Sequence, residues 1–207
     1  GEPRKLYAFA DHMAKLGMIA VCPEYRVIGK PKGTTPFECV KDGRSALRYL
    51  RAHAGELAID PRRIVAAGDS AGGHVAAGTG LFDGLDEEGE DTTVSCAPNA
   101  LVLYYPVIDC STEGYGNAKC GEHWREISPL HRVRPGLPPT IVFHGTGDTV
   151  CPFKGAQAFQ EAMVKAGNQC ELVVKPGGLH GYLLYTQQDF EESMNQTEAF
   201  LRRVGML

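Results

Sequence analysis

The stretch GDSAGG at residues 68–73 follows directly on the short apolar run IVAA at residues 64–67. An apolar run of this length predicts a buried strand, and the small residues that follow GDSAGG predict a helix packed closely on a sheet. A sharp strand-to-helix turn strains the backbone at its tip and leaves little room for side chains, which Gly68 and Gly72 would relieve. We therefore expect the hydroxyl of Ser70 to project at the carboxyl edge of a parallel sheet, where ligands bind in such folds.

Strand and helix patterns alternate along the rest of the sequence. Short apolar runs predict strands at 18–22, 64–67, 100–105, 140–143 and 170–174. Apolar residues at helical spacing and small-residue runs predict helices at 3–16, 36–54, 72–80, 152–166 and 190–204. This alternation predicts an α/β fold, with a mostly parallel sheet and helices on both of its faces.

The length of the sequence bounds the number of domains. A chain of 207 residues is long enough for one substantial core and short for two, so residues 1–207 predict a single domain. The segment at about 109–139 has several Gly and Pro residues and no clear period, which predicts a loop insertion or a small lid. The acidic run at 86–91 predicts a solvated loop.

Composition and charge narrow the classes of partner. Hydrophobic residues make up 43% and charged residues 22% of the sequence, which is ordinary for a globular protein. The net charge of −4 is mild and the Lys and Arg residues are scattered, so we expect no nucleic-acid partner. The longest apolar runs are far shorter than the ~18–20 residues that cross a bilayer, so we expect no membrane span.

The seven cysteines stand singly, without the paired spacing of a zinc site or a redox dithiol, and we expect no metal site. Most of them are expected to be packed thiols. Cys110 and Cys120 bracket a loop, however, and would be able to pair in an oxidising compartment. The sequence leaves the location open between secreted, periplasmic and cytoplasmic.

An activated serine needs a base, and the base needs an acid to orient it. His180 lies in GGLHG at 177–181, immediately after the last predicted strand, on a loop that can bring an imidazole over the sheet edge. Asp148 lies in HGTGD at 144–148, just beyond the predicted strand at 140–143. The chain order serine, aspartate, histidine is the order of a nucleophile elbow whose partners lie on later strand ends.

Three further polar residues near predicted strand ends have competing interpretations. Asp109 follows the predicted strand at 100–105 and is the second candidate for the acid. His144 stands at a strand end and His74 in the helix after the elbow, and both are expected to be structural rather than catalytic.

Several side chains are candidates for lining a substrate pocket. Asp69, beside the serine, either faces the pocket or braces the elbow. Tyr115 and Trp124, together with His123, either line a pocket for the acyl or alcohol group or simply pack within their loop.

The motifs GDSAGG at 68–73, HGTGDTVCP at 144–152 and GGLHGY at 177–182 resemble the hormone-sensitive-lipase-like and bacterial acetyl-esterase group of the α/β-hydrolases. The resemblance covers nearly the whole sequence and includes CPEYR at 22–26 and DPRRIVAAGDSAGG at 60–73. It implies hydrolysis of carboxylic esters through an acyl-enzyme, with neither a metal nor an organic cofactor.

The resemblance also implies a role for each residue of the site. Ser70 would be the nucleophile, His180 first the general base and then the general acid, and Asp148 the residue that orients the imidazole. The backbone N–H of Ala71 would donate one hydrogen bond to the oxyanion. The implied substrates are short-chain acyl esters, foremost acetyl esters, including those of carbohydrates.

The sequence departs from this family at its amino end, and we expect an N-terminally shortened α/β-hydrolase. In the family, a His-Gly-Gly-Gly loop that carries other oxyanion donors lies just before the helix predicted here at 3–16. In the sheet of the family, an early strand also lies between the two strands that correspond to those predicted at 18–22 and 64–67. We expect these two strands either to pair directly or to leave a gap that something else fills.

Two alternatives to an esterase remain from the sequence. One is a catalytically impaired hydrolase-fold remnant that acts in binding or assembly through exposed sheet edges, as a homo-oligomer or with a complementing chain. The other is a serine peptidase of the same fold, which is less favoured because DSA at 69–71 resembles the esterase group more closely.

Overall fold

The computed structural model describes residues 6–207, which form one parallel sheet with helices on both faces. The helices are α1 (Tyr7–Lys15), α2 (Pro36–Ala52), α3 (Ser70–Leu81), α4 (Asn117–Cys120), α5 (Phe153–Lys165) and α6 (Gln187–Arg203). Short 3₁₀ helices lie at Gly121–Ile127, Pro129–Arg132 and Tyr182–Leu184. The strands, in their spatial order, are β1 (Val65–Asp69), β2 (Ala100–Tyr104), β3 (Thr140–Gly145) and β4 (Cys170–Lys175). The predicted α/β architecture is confirmed.

All three strand pairs are parallel, so the four strands end at one edge of the sheet. The register pairs Asp69 with Tyr104 at the ends of β1 and β2, and Gly145 with Lys175 at the ends of β3 and β4. Neighbouring strands lie about 4.8 Å apart, so the turns that leave this edge start close together. The fold therefore collects side chains from distant parts of the sequence above one rim.

The alternation of side chains along each strand divides the core into two layers. Leu101 and Leu103 of β2 pack in the layer formed with α2, α3 and α5. Val102 and Tyr104 pack in the opposite layer, formed with α1 and α6. A strand buried on both faces has an unbroken apolar sequence, which explains the run ALVLY in β2.

Helix α2 begins at a capping box that the sequence TPFE at 35–38 supplies. The side-chain oxygen of Thr35 accepts a hydrogen bond from the N–H of Phe37 at 3.2 Å, and the Glu38 carboxylate accepts one from the N–H of Thr35 at 2.7 Å. Pro36 occupies the first helical position, where the missing N–H has no intrahelical partner to lose. These contacts fix the start of the helix.

The prediction of a strand at 18–22 is wrong. These residues have no strand conformation, and the side chains of Ile19 and Val21 are 55% and 49% exposed. A strand is stable only where a neighbouring strand accepts and donates its backbone hydrogen bonds. Among residues 6–207 no strand pairs with the outer edge of β1, so direct pairing of the two predicted strands does not occur either.

The other predicted elements are present, with boundaries shifted by a few residues. Helix α1 ends before Gly17, whose φ of +92° is a left-handed conformation that glycine adopts without strain. The start of this helix, predicted at Pro3, lies outside the described residues. Within the described range, none of the helices combines the length and apolar character needed to cross a bilayer.

The segment predicted as an insertion, at 109–139, folds into α4 and two of the 3₁₀ helices. Ile127 in its middle is fully buried in the same core layer as α2, α3 and α5, so the segment packs on the sheet domain. Its role as a lid stays a prediction. All seven cysteines, Cys110 and Cys120 included, are free thiols in the structure.

The acidic run at 86–91 is a loop, but the prediction that it is simply solvated is wrong. Asp86 forms ion pairs with Arg44 and Arg48, with N···O distances of 2.7 and 2.5 Å, and Arg48 also pairs with Glu90 at 2.6 Å. The two arginines lie one turn apart on α2, and their side chains are only 6% and 9% exposed. Partial burial works against ionisation of Asp86, but the hydrogen bonds from the arginines outweigh it and lower the pKa of this carboxyl.

Replacement of Asp86 by Asn should destabilise the protein by about 2–3 kcal/mol, because two largely buried guanidinium groups lose the charge that compensates them. Asp83→Asn is the matched control. Asp83 pairs with Arg134 at 3.0 Å, but its side chain is 65% exposed, so its loss should change the free energy of unfolding by less than about 1 kcal/mol. Urea unfolding measures both, and equal effects would contradict the structural role of Asp86.

Candidate active site

The turn between β1 and α3 places Ser70 as the first residue of the helix. Its φ of +48° is a left-handed conformation, which costs a non-glycine residue roughly 1–3 kcal/mol. A Cβ on Gly68 would collide with the carbonyl of Gly72, and one on Gly73 would lie 2.8 Å from the side chain of Pro106. The sharp, strained turn predicted for this serine is present.

The prediction that crowding requires glycine at position 72 is wrong. A Cβ on Gly72 would lie 3.5 Å from Oδ1 of Asp69, which is an ordinary van der Waals distance. It is the backbone of Gly72, and not the absence of its side chain, that crowds Gly68. The second glycine that the close approach requires is Gly73.

The structure brings Ser70, His180 and Asp148 into one hydrogen-bonded row. The Oγ of Ser70 lies 2.9 Å from Nε2 of His180, and Nδ1 of His180 lies 2.8 Å from Oδ2 of Asp148. These distances fit a hydroxyl that donates to Nε2 and an Nδ1–H that donates to the carboxylate. Such a row can remove the proton from the serine hydroxyl as the hydroxyl attacks a carbonyl.

The carboxylate of Asp148 is held in one orientation by its own turn. Its Oδ1 accepts hydrogen bonds from the backbone N–H groups of Val150 and Cys151, both at 2.8 Å, and its side chain is fully buried. Asp109, the alternative acid, instead accepts hydrogen bonds from the N–H and hydroxyl of Ser111 in its own loop, at 2.8 and 3.0 Å. The geometry therefore favours Asp148 as the partner of His180.

The turns that follow β3 and β4 are joined to each other. The N–H of Gly147 donates to the carbonyl of Gly178 at 3.0 Å, and the N–H of Gly177 donates to the hydroxyl of Thr146 at 2.7 Å. A Cβ on Gly145 would collide with the carbonyl of Gly178. This close approach places His180 within reach of Asp148.

Tyr105 is a residue of the site that the sequence analysis missed. It follows β2 directly, is 2% exposed and has a left-handed φ of +36°. Its hydroxyl donates to Oδ2 of Asp69 at 3.0 Å, and its ring packs edge-on against the ring of His180 with centroids 4.9 Å apart. Burial, followed by the charge of Asp69, raises the pKa of Tyr105 and keeps it a neutral donor. No local pattern of the sequence marks this role, because both contacts come from residues distant in the sequence.

The contact with Tyr105 favours the interpretation in which Asp69 braces the elbow, and a pocket role for Asp69 stays a prediction. Ala71 is the second residue of α3, where a backbone N–H has no intrahelical acceptor.

Tyr115 and Trp124 each make a polar or ring contact within their own loop. The ammonium of Lys119 donates to the hydroxyl of Tyr115 at 2.8 Å, and the ring of Trp124 packs edge-on against His131 at 4.8 Å. Both rings are partly buried against the core layer of α2, α3 and α5, and a pocket role for them stays a prediction. His123 forms a hydrogen bond with Glu126.

The two histidines predicted as structural are both buried. Nε2 of His74 lies 2.6 Å from the carbonyl oxygen of Ile127, which ties α3 to the loop above it. His144 lies closer to the row, with Nε2 at 3.3 Å from Oδ2 of Asp148. Within residues 6–207, no three His, Cys, Asp or Glu side chains form a group that would hold a metal ion.

Comparison with known proteins finds esterases. A protein-family model described as BD-FAE matches residues 3–163. Esterase LipC of Mycobacterium tuberculosis is 29% identical over 197 residues, which cover 85% of this chain and 48% of the relative. Acetylxylan esterase of Xylanibacter ruminicola is 28% identical over 210 residues, which cover 92% of this chain and 40% of the relative. The chain thus spans less than half the length of these two curated relatives.

The fold is also similar to solved structures of esterase 2 of Thermogutta terrifontis. The form phosphorylated by paraoxon has a TM-score of 0.93 and 39% identity, and the match covers all of this chain and 78% of that one. The propionate-bound form has a TM-score of 0.92 and 39% identity, and the match covers all of this chain and 79% of that one.

Replacement of Gly145 by Ala should lower the free energy of unfolding by about 1–3 kcal/mol, because the new methyl group would push the turns after β3 and β4 apart. Gly55→Ala is the control, since a Cβ there would meet nothing within 4 Å and the backbone is not left-handed. Urea unfolding of the two variants should differ by this amount. If Gly145→Ala is as stable as Gly55→Ala, the turns are not in close contact.

Proposed function

The chain belongs to the BD-FAE family of α/β-hydrolases, and from this premise we propose that it is a serine carboxylesterase acting on short-chain acyl esters through an acyl-enzyme. The observation that carries the proposal is the row of hydrogen bonds from Ser70 through His180 to Asp148. A buried, ionised acid behind the imidazole is what a serine hydrolase needs to stabilise the imidazolium that forms during attack.

In the acylation step, Oγ of Ser70 attacks the ester carbonyl carbon and its proton passes to Nε2 of His180. The Nδ1–H of His180 remains bonded to Asp148, which keeps the ring in the tautomer that leaves Nε2 free to accept. When the tetrahedral intermediate collapses, the bond to the alcohol oxygen breaks and Nε2 returns its proton to that oxygen. The products are a free alcohol and an acyl group on Ser70.

Deacylation repeats the same proton path with water. Nε2 of His180 removes a proton from a water molecule as the water oxygen attacks the acyl carbon, and the proton then returns to Oγ of Ser70. The carboxylic acid leaves and the hydroxyl is restored. In both steps the backbone N–H of Ala71 donates to the developing oxyanion, and such a donor contributes about 100–1,000-fold to turnover.

Comparison with relatives supports acetyl and other short acyl groups, including acetyl groups on carbohydrates, as the substrate class. A relative that covers most of this chain bears the name acetylxylan esterase, and a solved neighbour holds propionate. The strained turn at Ser70 and the first turn of α3, which carries the N–H of Ala71, lie at the carboxyl edge of the sheet, where ligands bind in such folds.

Hydrolysis of p-nitrophenyl acetate by this chain should fall to the background rate in Ser70→Ala, whereas Ser45→Ala, whose hydroxyl donates to the carbonyl of Lys41 within α2, should keep the rate of the unchanged protein. The release of p-nitrophenol measures both. Equal hydrolysis rates for the unchanged chain and Ser70→Ala would contradict the proposed esterase activity of this chain and would favour a role in binding or assembly. Cleavage of a peptide amide without ester turnover would favour the peptidase.

Paraoxon, which is diethyl p-nitrophenyl phosphate, should transfer one diethylphosphoryl group to Ser70 and release p-nitrophenol. Peptide mass spectrometry locates the group, and Ser70→Ala should take up none. Uptake on another residue, or equal uptake by Ser70→Ala, would show that the serine is not the activated nucleophile. Labelling needs no deacylation, so it tests the nucleophile separately from turnover.

A further inference from the structure

We propose that His144 is a positioning residue of this site, a neutral imidazole whose Nε2–H holds the Asp148 carboxylate in the orientation that receives His180. The inference rests on the proposed ester hydrolysis and assigns to it a fourth polar side chain, one that the sequence analysis interpreted as structural.

The position of His144 follows from the end of β3. It is the fifth residue of that strand, is fully buried, and lies four residues before Asp148 in the sequence. Its Nε2 lies 2.8 Å from the carbonyl oxygen of Cys151 and 3.3 Å from Oδ2 of Asp148. The same ring nitrogen, Nε2, therefore faces both the turn that carries the carboxylate and the carboxylate itself.

The partners of His144 decide where its proton lies. The carbonyl of Cys151 can only accept, so Nε2 carries the hydrogen and donates to it, and Oδ2 of Asp148 lies 3.3 Å from the same nitrogen. Nδ1 is buried and has no hydrogen-bond partner among residues 6–207, so a proton on it would have no acceptor. The ring is neutral in the folded protein.

The charges around His144 agree with this assignment. Burial lowers the pKa of His144 and outweighs the carbonyl of Cys151 and the charge of Asp148, which both act to raise it; His180 acts in the same direction as burial. The thiol of Cys151 is itself neutral, since burial raises its pKa to about 12. Phe153, the first residue of α5, presents an aromatic ring to His144, with centroids 6.0 Å apart.

The contact of His144 with Oδ2 completes the surroundings of the carboxylate. Oδ1 of Asp148 accepts from two backbone N–H groups, whereas the nitrogens near Oδ2 among residues 6–207 are Nδ1 of His180 at 2.8 Å and Nε2 of His144 at 3.3 Å. Without His144, Oδ2 would depend on His180 alone, and the side chain would be freer to rotate about its bonds to the turn. The negative charge would also act more strongly on His180, which favours the protonated imidazole.

His180 faces other titratable groups that bear on this prediction. They are the hydroxyl of Ser70 on Nε2, the ring of Tyr105 at its side, and the hydroxyl of Tyr185, which donates to its backbone carbonyl at 2.7 Å. None of these changes in a variant of His144, so a shift in pH profile in that variant arises from the Asp148 side of the ring.

The experiment compares three variants in p-nitrophenyl acetate hydrolysis from about pH 5 to about pH 9. His144→Phe keeps the volume and removes the donor; kcat should fall about tenfold to a hundredfold with little change in KM, and the acid limb of the pH profile should move to higher pH. His144→Gln, whose amide can donate a hydrogen bond, should restore most of kcat and return the acid limb of the pH profile to its position in the unchanged protein.

His74→Phe is the matched control, because His74 is also buried and bonded to a carbonyl, but that carbonyl belongs to Ile127, outside the row. It should lower stability without moving the acid limb. If His144→Phe behaves like His74→Phe, with an unmoved limb and an unreduced kcat, His144 is structural and the proposal is overturned. That result does not contradict the proposed esterase activity, provided that the unchanged protein hydrolyses p-nitrophenyl acetate faster than Ser70→Ala does. Should His144→Phe not fold, His144→Leu makes the same comparison.

A second measurement does not need turnover. The proton between His180 and Asp148 gives a downfield proton resonance in NMR, and His144→Phe should shift or broaden it while His74→Phe leaves it unchanged. If the chain shows no ester turnover at all, the proposed function fails, and this resonance still decides whether His144 positions Asp148. An identical resonance in the unchanged protein and His144→Phe would overturn the inference.

Discussion

A buried carboxylate must have its charge and its lone pairs satisfied, and the site of this protein is arranged around that requirement at Asp148. Its own turn supplies two backbone N–H groups to one oxygen, and His180 approaches the other. To bring His180 there, the turn after β4 must come so close to the turn after β3 that only glycine fits at position 145. The parallel order of the sheet makes this possible, because adjacent strands deliver adjacent turns.

The strain at the elbow is held in place by hydrogen bonds from the neighbouring strand end. Ser70 and Tyr105 both adopt left-handed conformations, and each is tied to a neighbouring segment: the N–H of Val107 donates to the carbonyl of Ser70 at 3.0 Å, and the N–H of Tyr105 donates to the carbonyl of Phe143 at 2.7 Å. Strained residues persist where the surrounding structure over-determines them. The strain here presents the hydroxyl of Ser70 at the carboxyl edge of the sheet, in the arrangement that the proposed nucleophile requires.

Local patterns predicted the parts of the site that depend on local chemistry. Ser70, Asp148 and His180 each lie in a short glycine-containing motif just after a strand, so their positions at the sheet edge could be predicted. Tyr105 could not, because its contacts with Asp69 and His180 come from residues 36 and 75 positions away; the first is a hydrogen bond and the second a ring contact. The error at 18–22 has the same origin, since an apolar run does not report whether a neighbouring strand exists.

The sequence by itself determined the alternation of strands and helices, the position of the elbow and the order of the three polar residues. These follow from periodicity and turn chemistry, which act over a few residues. Only the tertiary structure decided that Gly73 rather than Gly72 relieves the crowding, that Asp86 compensates two buried arginines, and that His144 faces Asp148. Each of these depends on which segments meet in space, and burial then decides whether a side chain is solvated, paired or held neutral.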